Sequence, residues 1–138
     1  MKGFSLVKTV CLSLLVVGLV ALWSGTPALA VMDALDGKTF VGEMGKKGEQ
    51  KGQAEDVIFT NGKMRSSMCN RFGYSDGTYT ATTGKDTIAF DTQLTHPTDG
   101  MQMWKGMVKG DTLEATSTSF EPGKAPVEYW IKGQLKKN

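Results

Sequence analysis

The sequence predicts an all-β domain, an eight-stranded antiparallel up-and-down barrel preceded by a hydrophobic signal-peptide helix. Three observations predict it. Turn signals recur roughly every eight to twelve residues, the spacing of sandwiches and barrels. No stretch beyond residue 30 repeats apolar residues at helical spacing for three turns. Two dipeptides, Asn61-Gly62 and Gly110-Asp111, stand between apolar–polar alternations and close tight hairpins.

The first element is an address. Met1 to Lys8 carries two lysines, Thr9 to Trp23 is almost wholly apolar, and Pro27-Ala28-Leu29-Ala30 places small residues at A-x-A spacing. That order reads as a cleaved secretory signal peptide over 1–30. Its apolar run of about 15 residues is shorter than the ~20 needed to span a bilayer. The expected destination is secreted or periplasmic, in a bacterial envelope, with no membrane association after cleavage. Residues 31–138 then form a single β-barrel domain with one modest core.

Removing Lys2 and Lys8 leaves 14 basic residues against 14 acidic ones. There is no basic stripe and no interleaved aromatic platform, which argues against a nucleic-acid partner. Cys69 is the one cysteine of the domain, so an internal disulfide is excluded. It is a buried small hydrophobe, a link between chains, or a reactive thiol.

The strands are expected at Thr39–Met44, Asp56–Thr60, Lys63–Cys69, Thr78–Thr83, Thr87–Leu94, Met101–Lys109, Thr112–Phe120 and Val127–Leu135. Short loops make sequential strands antiparallel neighbours, and eight of them close most simply into a barrel. Across Asn61-Gly62, Phe59 faces Met64 and Val57 faces Ser66. Across Gly110-Asp111, Val108 faces Leu113, Gly106 faces Ala115 and Trp104 faces Ser117. At a third turn, Thr83 to Asp86, Ala81 is expected opposite Ile88 and Tyr79 opposite Phe90. The last strand sets Val127, Tyr129, Ile131 and Leu135 on one face. The opposite faces carry Lys63, Arg65, Asp91, Lys105, Glu114, Glu128 and Lys132. Burying those charges unpaired would cost roughly several kcal/mol each, so the apolar face points inward.

The inward set also holds Gly42, Ser66, Ala81, Thr92, Gly106, Ala115, Ser117 and Gly133. Such small residues either leave room for a ligand or form the small half of a large–small packing pattern. Two stretches do not fit strands: the polar run 44–55, expected as one long loop, and "NRFGYSDG" at 70–77.

This layout resembles the calycin group of small secreted barrels, of which the lipocalins are the best known. The likeness covers the whole of 31–138, with eight strand-like segments and a long loop after the first strand, and extends to the signal peptide before it. The tail "WKGMVKGDTLEATSTSF" is also similar to that of small, uncharacterised bacterial secreted proteins. The resemblance implies a binding or structural role, since such barrels are seldom enzymes.

Enzyme motifs are weak. His96, the sole histidine, precedes Pro97, and a Cys69–His96 pair has no local signature. There is no G-x-S-x-G elbow, and "GKKGEQKGQ" lacks the order of a phosphate-binding loop. One His and one Cys do not make a structural zinc site, and the aspartates lack calcium-loop spacing. The sharper metal reading is a Cu(I) site from His96, Met101 and Met103, since thioethers select soft ions. It is similar to the His, Met-x-Met and capping Trp of periplasmic Cu(I) chaperones. On a regular strand, however, Trp104 points away from Met101 and Met103.

The reading that follows is a non-enzymatic binder of a small apolar ligand, with no cofactor. Its cavity is expected to be lined by Met64, Met68, Tyr79, Phe90, Trp104, Ser117 and Tyr129. The alternative is a structural or interaction protein, a filled barrel with Met101, Met103, Met107 and Trp130 facing a protein partner or a second copy. Soft-metal binding ranks third.

Overall fold

The computed structural model describes residues 33–138; the expected signal peptide lies outside the described residues. The strands are β1 (Thr39–Lys46), β2 (Gln53–Thr60), β3 (Lys63–Ser66), β4 (Gly77–Thr83), β5 (Thr87–His96), β6 (Gly100–Lys109), β7 (Thr112–Phe120) and β8 (Val127–Leu135), with one short helix, α1 (Ser67–Arg71), after β3. Each strand pairs antiparallel with the next, and β8 pairs with β1, so the sheet is a closed up-and-down barrel. Closure gives each strand a neighbour on both sides, although β3 and β4 meet at only two residue pairs, Lys63 with Thr78 and Met64 with Gly77.

Turn chemistry sets the registers. Asn61 and Gly62 both take positive φ, 52° and 72°, as a two-residue hairpin turn of this kind requires. Thr60 therefore lies opposite Lys63, Phe59 opposite Met64 and Val57 opposite Ser66. Gly110, at φ 59°, closes the β6–β7 hairpin and sets Val108 opposite Leu113, Gly106 opposite Ala115 and Trp104 opposite Ser117.

The third turn differs from expectation. Ala81 pairs with Phe90 and Tyr79 with Thr92, while Ile88 lies opposite Thr83. The tip is Lys85-Asp86, closed by the Gly84 N–H donating to the Thr87 carbonyl at 2.7 Å. The register moves by two residues, so every side chain keeps its face.

The expected strand Lys63–Cys69 also changes character part way. It stops at Ser66, and the chain enters α1. Ser66 caps the helix, its hydroxyl accepting the Cys69 N–H at 3.1 Å. The Glu55 carboxylate takes the Met68 N–H at 3.3 Å and the Ser67 hydroxyl at 3.4 Å. These polar side chains satisfy the first turn of a helix where a strand would need a neighbouring ladder. Finally, β1 and β2 run longer than expected and shrink the polar loop from 44–55 to 47–52.

The seven charges assigned to the outer face are all exposed. Inside, Phe59 packs edge-on against Phe40, Tyr79 and Phe90, with ring centroids 6.2, 5.0 and 5.1 Å away. The small residues are the complement of these rings. A Cβ on Gly106 would lie 2.5 Å from the Phe90 ring and 2.7 Å from the Ala115 methyl; one on Gly133 would lie 3.1 Å from Phe40. Large–small packing therefore fills this part of the barrel. Val127 is the exception on the inward set, lying exposed at the rim.

The turn at 33–37 plugs the end that carries the Asn61-Gly62 hairpin. Leu35 is fully buried there. The Asp36 carboxylate accepts the Tyr79 hydroxyl at 2.7 Å and the Gly62 N–H at 3.0 Å. The Leu35 N–H donates to the same tyrosine oxygen at 3.3 Å. Among the described residues no helix is long and apolar enough to cross a membrane.

Candidate functional site

The opposite end of the barrel is built differently. There α1 and the segment 70–76 carry the chain from β3 to β4 across the barrel mouth. They leave a cavity of about 250 Å³ beneath them. β1 contributes Met44, α1 contributes Met68 and Cys69, and the segment after it contributes Phe72 and Tyr74. The facing wall is Gln102 on β6, Ser119 on β7 and Tyr129 on β8, with Asp99 and Glu121 at the rim. A second depression of about 430 Å³ shares Met44, Met68, Phe72 and Tyr129 and runs under the β1–β2 turn between Lys46 and Gln53.

Several contacts hold this end in shape. The Tyr74 hydroxyl donates to the Asp99 carbonyl at 3.4 Å, and its ring packs on His96 at 5.2 Å. His96 Nδ1 in turn accepts the N–H groups of Thr98 at 3.1 Å and Asp99 at 2.9 Å, fixing the β5–β6 turn. On the outside, Trp130 lies over Gly45, and its indole N–H donates to the Glu49 carbonyl at 2.8 Å. That bond fastens the β1–β2 turn that borders the mouth.

The floor is polar. Glu55 points inward from β2, in the same alternation as Val57 and Phe59, and is 1% exposed. Burial raises its pKa above the usual carboxylate value, against the pull of hydrogen bonds from Ser66, Ser67 and Met68. Burial also pushes the Cys69 thiol up to about 11; Ser66 and the Trp104 indole work against that rise, and Glu55 adds to it. Cys69 is thus a neutral buried thiol, the first of the three possibilities open from sequence. The Ser117 hydroxyl donates to Gln102 Oε1 at 2.6 Å. The Trp104 Nε1 is buried with no hydrogen-bond partner.

Of the seven residues expected to line a cavity, Met68 and Tyr129 do. The other five, Met64, Tyr79, Phe90, Trp104 and Ser117, are buried in the packed interior, none more than 3% exposed. They fill the barrel because the aromatic rings interdigitate with Gly106, Ala81 and Ala115 and leave no space between them. The lining residues Met44, Gln102 and Ser119 share the inward alternation of their strands, so strand parity was the signal for them. Cys69, Phe72 and Tyr74 had no such signal, because they depend on the helix.

Met101 and Met103 lie on the outer wall with Met107, as alternation requires; Met103 and Met107 are 44% and 48% exposed. His96 and Met101 border one shallow outer groove, together with Phe120 and Pro122, and Met103 lies beyond it. Among the described residues no three His, Cys, Asp or Glu side chains cluster in a way that could hold a metal ion. Trp130, expected as part of a partner surface, lies over Gly45 and donates its indole N–H to the Glu49 carbonyl. The chain matches no family model, no curated protein and no solved structure in comparisons with each.

Proposed function

We propose that this is a secreted or periplasmic, non-enzymatic binding protein that takes a small, largely apolar ligand into the cavity at the α1 end of its barrel. The observation that carries the reading is that cavity itself: about 250 Å³ of space at one end of an otherwise filled barrel. It lies just under the roughly 300–1,000 Å³ of typical ligand pockets, so the ligand is a small one or the end of a longer one. Met44, Met68, Phe72 and Tyr129 give it apolar walls, faced by Gln102 and Ser119 and rimmed by Asp99 and Glu121.

Kinship with the lipocalins belongs to this same reading. It rests on the eight-stranded closed barrel and on the cavity at one barrel end. Where a lipocalin carries G-x-W at its first strand, this chain reads Asp36-Gly37-Lys38-Thr39-Phe40. The kinship is therefore one of architecture.

Titration with the neutral fluorescent probe N-phenyl-1-naphthylamine tests the reading. Wild type is expected to enhance and blue-shift its emission. Met68→Trp, which fills the cavity from α1, is expected to weaken binding at least tenfold without unfolding the barrel. No enhancement with wild type would refute the reading. A second reading, a protein-facing outer wall, is favoured by the exposed Met103 and Met107 on β6 and by Phe120, which lies diagonal to Met103 across β6–β7 and is 37% exposed. Light scattering separates the two: a concentration-dependent dimer that Met103→Lys abolishes supports it, and a strict monomer counts against a second copy as partner.

A further inference from the structure

We infer that the cavity selects a flat aromatic molecule whose inserted end is a neutral hydrogen-bond acceptor, such as a ketone or amide carbonyl, over apolar or anionic molecules of the same shape. The inference rests on the binding reading above and specifies the chemistry of its ligand.

The wall formed by β6 and β7 is rich in donors. Gln102 and Ser119 are directly opposite one another in register and both line the cavity. They are 7% and 4% exposed, so what they face is the cavity. The carbonyl side of the Gln102 amide is occupied by the Ser117 hydroxyl at 2.6 Å. Its N–H edge is therefore free to point into the space. No partner for that N–H or for the Ser119 hydroxyl is found among the described residues. The Gln102 N–H and the Ser119 hydroxyl reach the open cavity, so a ligand that displaces water from this wall must pair with them or lose those bonds, and the wall discriminates in favour of one that does. One layer deeper on the same strand, outside the cavity lining, the Trp104 indole lies beside Cys69. The unmet capacity of this wall is for accepting groups.

Charge narrows the choice. No lysine or arginine lines the cavity, and its two ionisable carboxylates, Asp99 and Glu121, stand at the rim. Lys46 and Lys51 border the adjoining depression under the β1–β2 turn, outside the chamber. A carboxylate driven against Gln102 would lose its water with no cation to replace it. Body shape follows from the remaining walls. Phe72, Tyr74 and Tyr129 offer ring faces and edges, and Met44 and Met68 offer polarisable thioethers that pack well against aromatic rings.

A matched trio of probes tests this: 2-acetylnaphthalene, 2-ethylnaphthalene and 2-naphthoate, each measured by displacement of N-phenyl-1-naphthylamine from the full-length protein. The expected result with wild type is that the ketone binds about tenfold tighter than the ethyl compound, the effect of one or two hydrogen bonds. The naphthoate is expected to bind more weakly than the ketone by at least as much. Gln102→Met keeps volume and removes the donor, so it should weaken the ketone relative to the ethyl compound and bring the ketone-to-ethyl ratio close to one. Ser119→Ala should lower the same ratio by a smaller factor. Equal binding of the ketone and ethyl compounds to wild type would overturn the inference and leave the binding reading intact. So would a naphthoate that binds tightest, or a ratio that survives both substitutions. Failure of wild type to bind the displaced probe at all would overturn the binding reading itself. The wild-type comparison stands even if Gln102→Met fails to fold.

Discussion

Glu55 is the residue whose position is hardest to justify by stability alone. A strand that buries Val57 and Phe59 also buries this carboxylate, because side chains two apart share a face. Its oxygens are used on the first turn of α1, so the cost of desolvation is met in part by hydrogen bonds to Met68 and Ser67. The raised pKa has a definite consequence. The folded state keeps the Glu55 proton to higher pH than the unfolded chain does. Its contribution to stability is therefore complete below the usual carboxylate pKa and is lost as pH rises through the folded value. Glu55→Gln keeps an acceptor for the Met68 N–H and carries no charge. Thermal melts between about pH 4 and pH 7 should show wild type losing stability relative to this variant as pH rises. Parallel curves would show that the carboxyl is not desolvated.

Elements are decided by their ends. The β2–β3 hairpin depends on Gly62, which holds φ 72° and donates its N–H to Asp36. Gly62→Ala places a Cβ in the left-handed region and should destabilise the domain by about 1–2 kcal/mol in urea unfolding. A cost below a few tenths would mean that the turn relaxes. The β1–β2 turn depends on a side chain far away in sequence. Trp130→Ala removes the ring that covers Gly45 and the bond to the Glu49 carbonyl. Hydrogen exchange should then speed up across 46–52, with protection in β5 and β6 unchanged, because Trp130 pairs with Gly45 on β1 and Thr116 on β7. Uniform loss of protection would show instead that Trp130 supports the whole barrel. Hairpin registers at Asn61-Gly62 and Gly110-Asp111 were legible in sequence because glycine at positive φ leaves few alternatives. The Thr83–Thr87 turn has one glycine and several tolerable tips, and its register came out two residues away. The helix at Ser67 was not legible as a helix. Its caps come from Ser66 and from Glu55, and only folding brings Glu55 beside Ser67.

At the scale of the whole molecule the barrel has two unlike ends. One is plugged by Leu35 and the Asp36–Tyr79 pair; the other is crossed by α1 and left partly open. Two neutral acids in this interior set an alkaline limit. Tyr79 is pushed up to about 12 by burial and by Asp36, and Cys69 to about 11 by burial. Both folded values lie above the ordinary ones, 10.0 and 9.0, so both contributions hold at neutral pH and are lost as pH rises through the folded values. Urea unfolding should show a midpoint that falls steadily from about pH 9 upwards. Cys69→Ser should flatten the first part of that fall and leave the later part, which belongs to Tyr79. A midpoint unchanged at about pH 11 would mean that neither group is as buried as its surroundings imply.

Alternation and turn chemistry, both local, were enough to determine from sequence that the chain is β-structured, which residues face inward, and that eight strands in order close on themselves. The outward methionines at 101, 103 and 107 follow from the same parity. Whether the inside is full or hollow was beyond local rules, because it depends on how side chains from strands distant in sequence meet. Phe90 over Gly106 and Phe40 against Gly133 close the space in the middle, while α1 holds it open at one end. Hairpin register set Gln102 opposite Ser119 on the inward face; only the tertiary structure decided that the two meet a cavity and that Met64, Tyr79, Phe90, Trp104 and Ser117 do not. The reason is physical: alternation assigns a residue to a face, but packing between strands determines what that face meets.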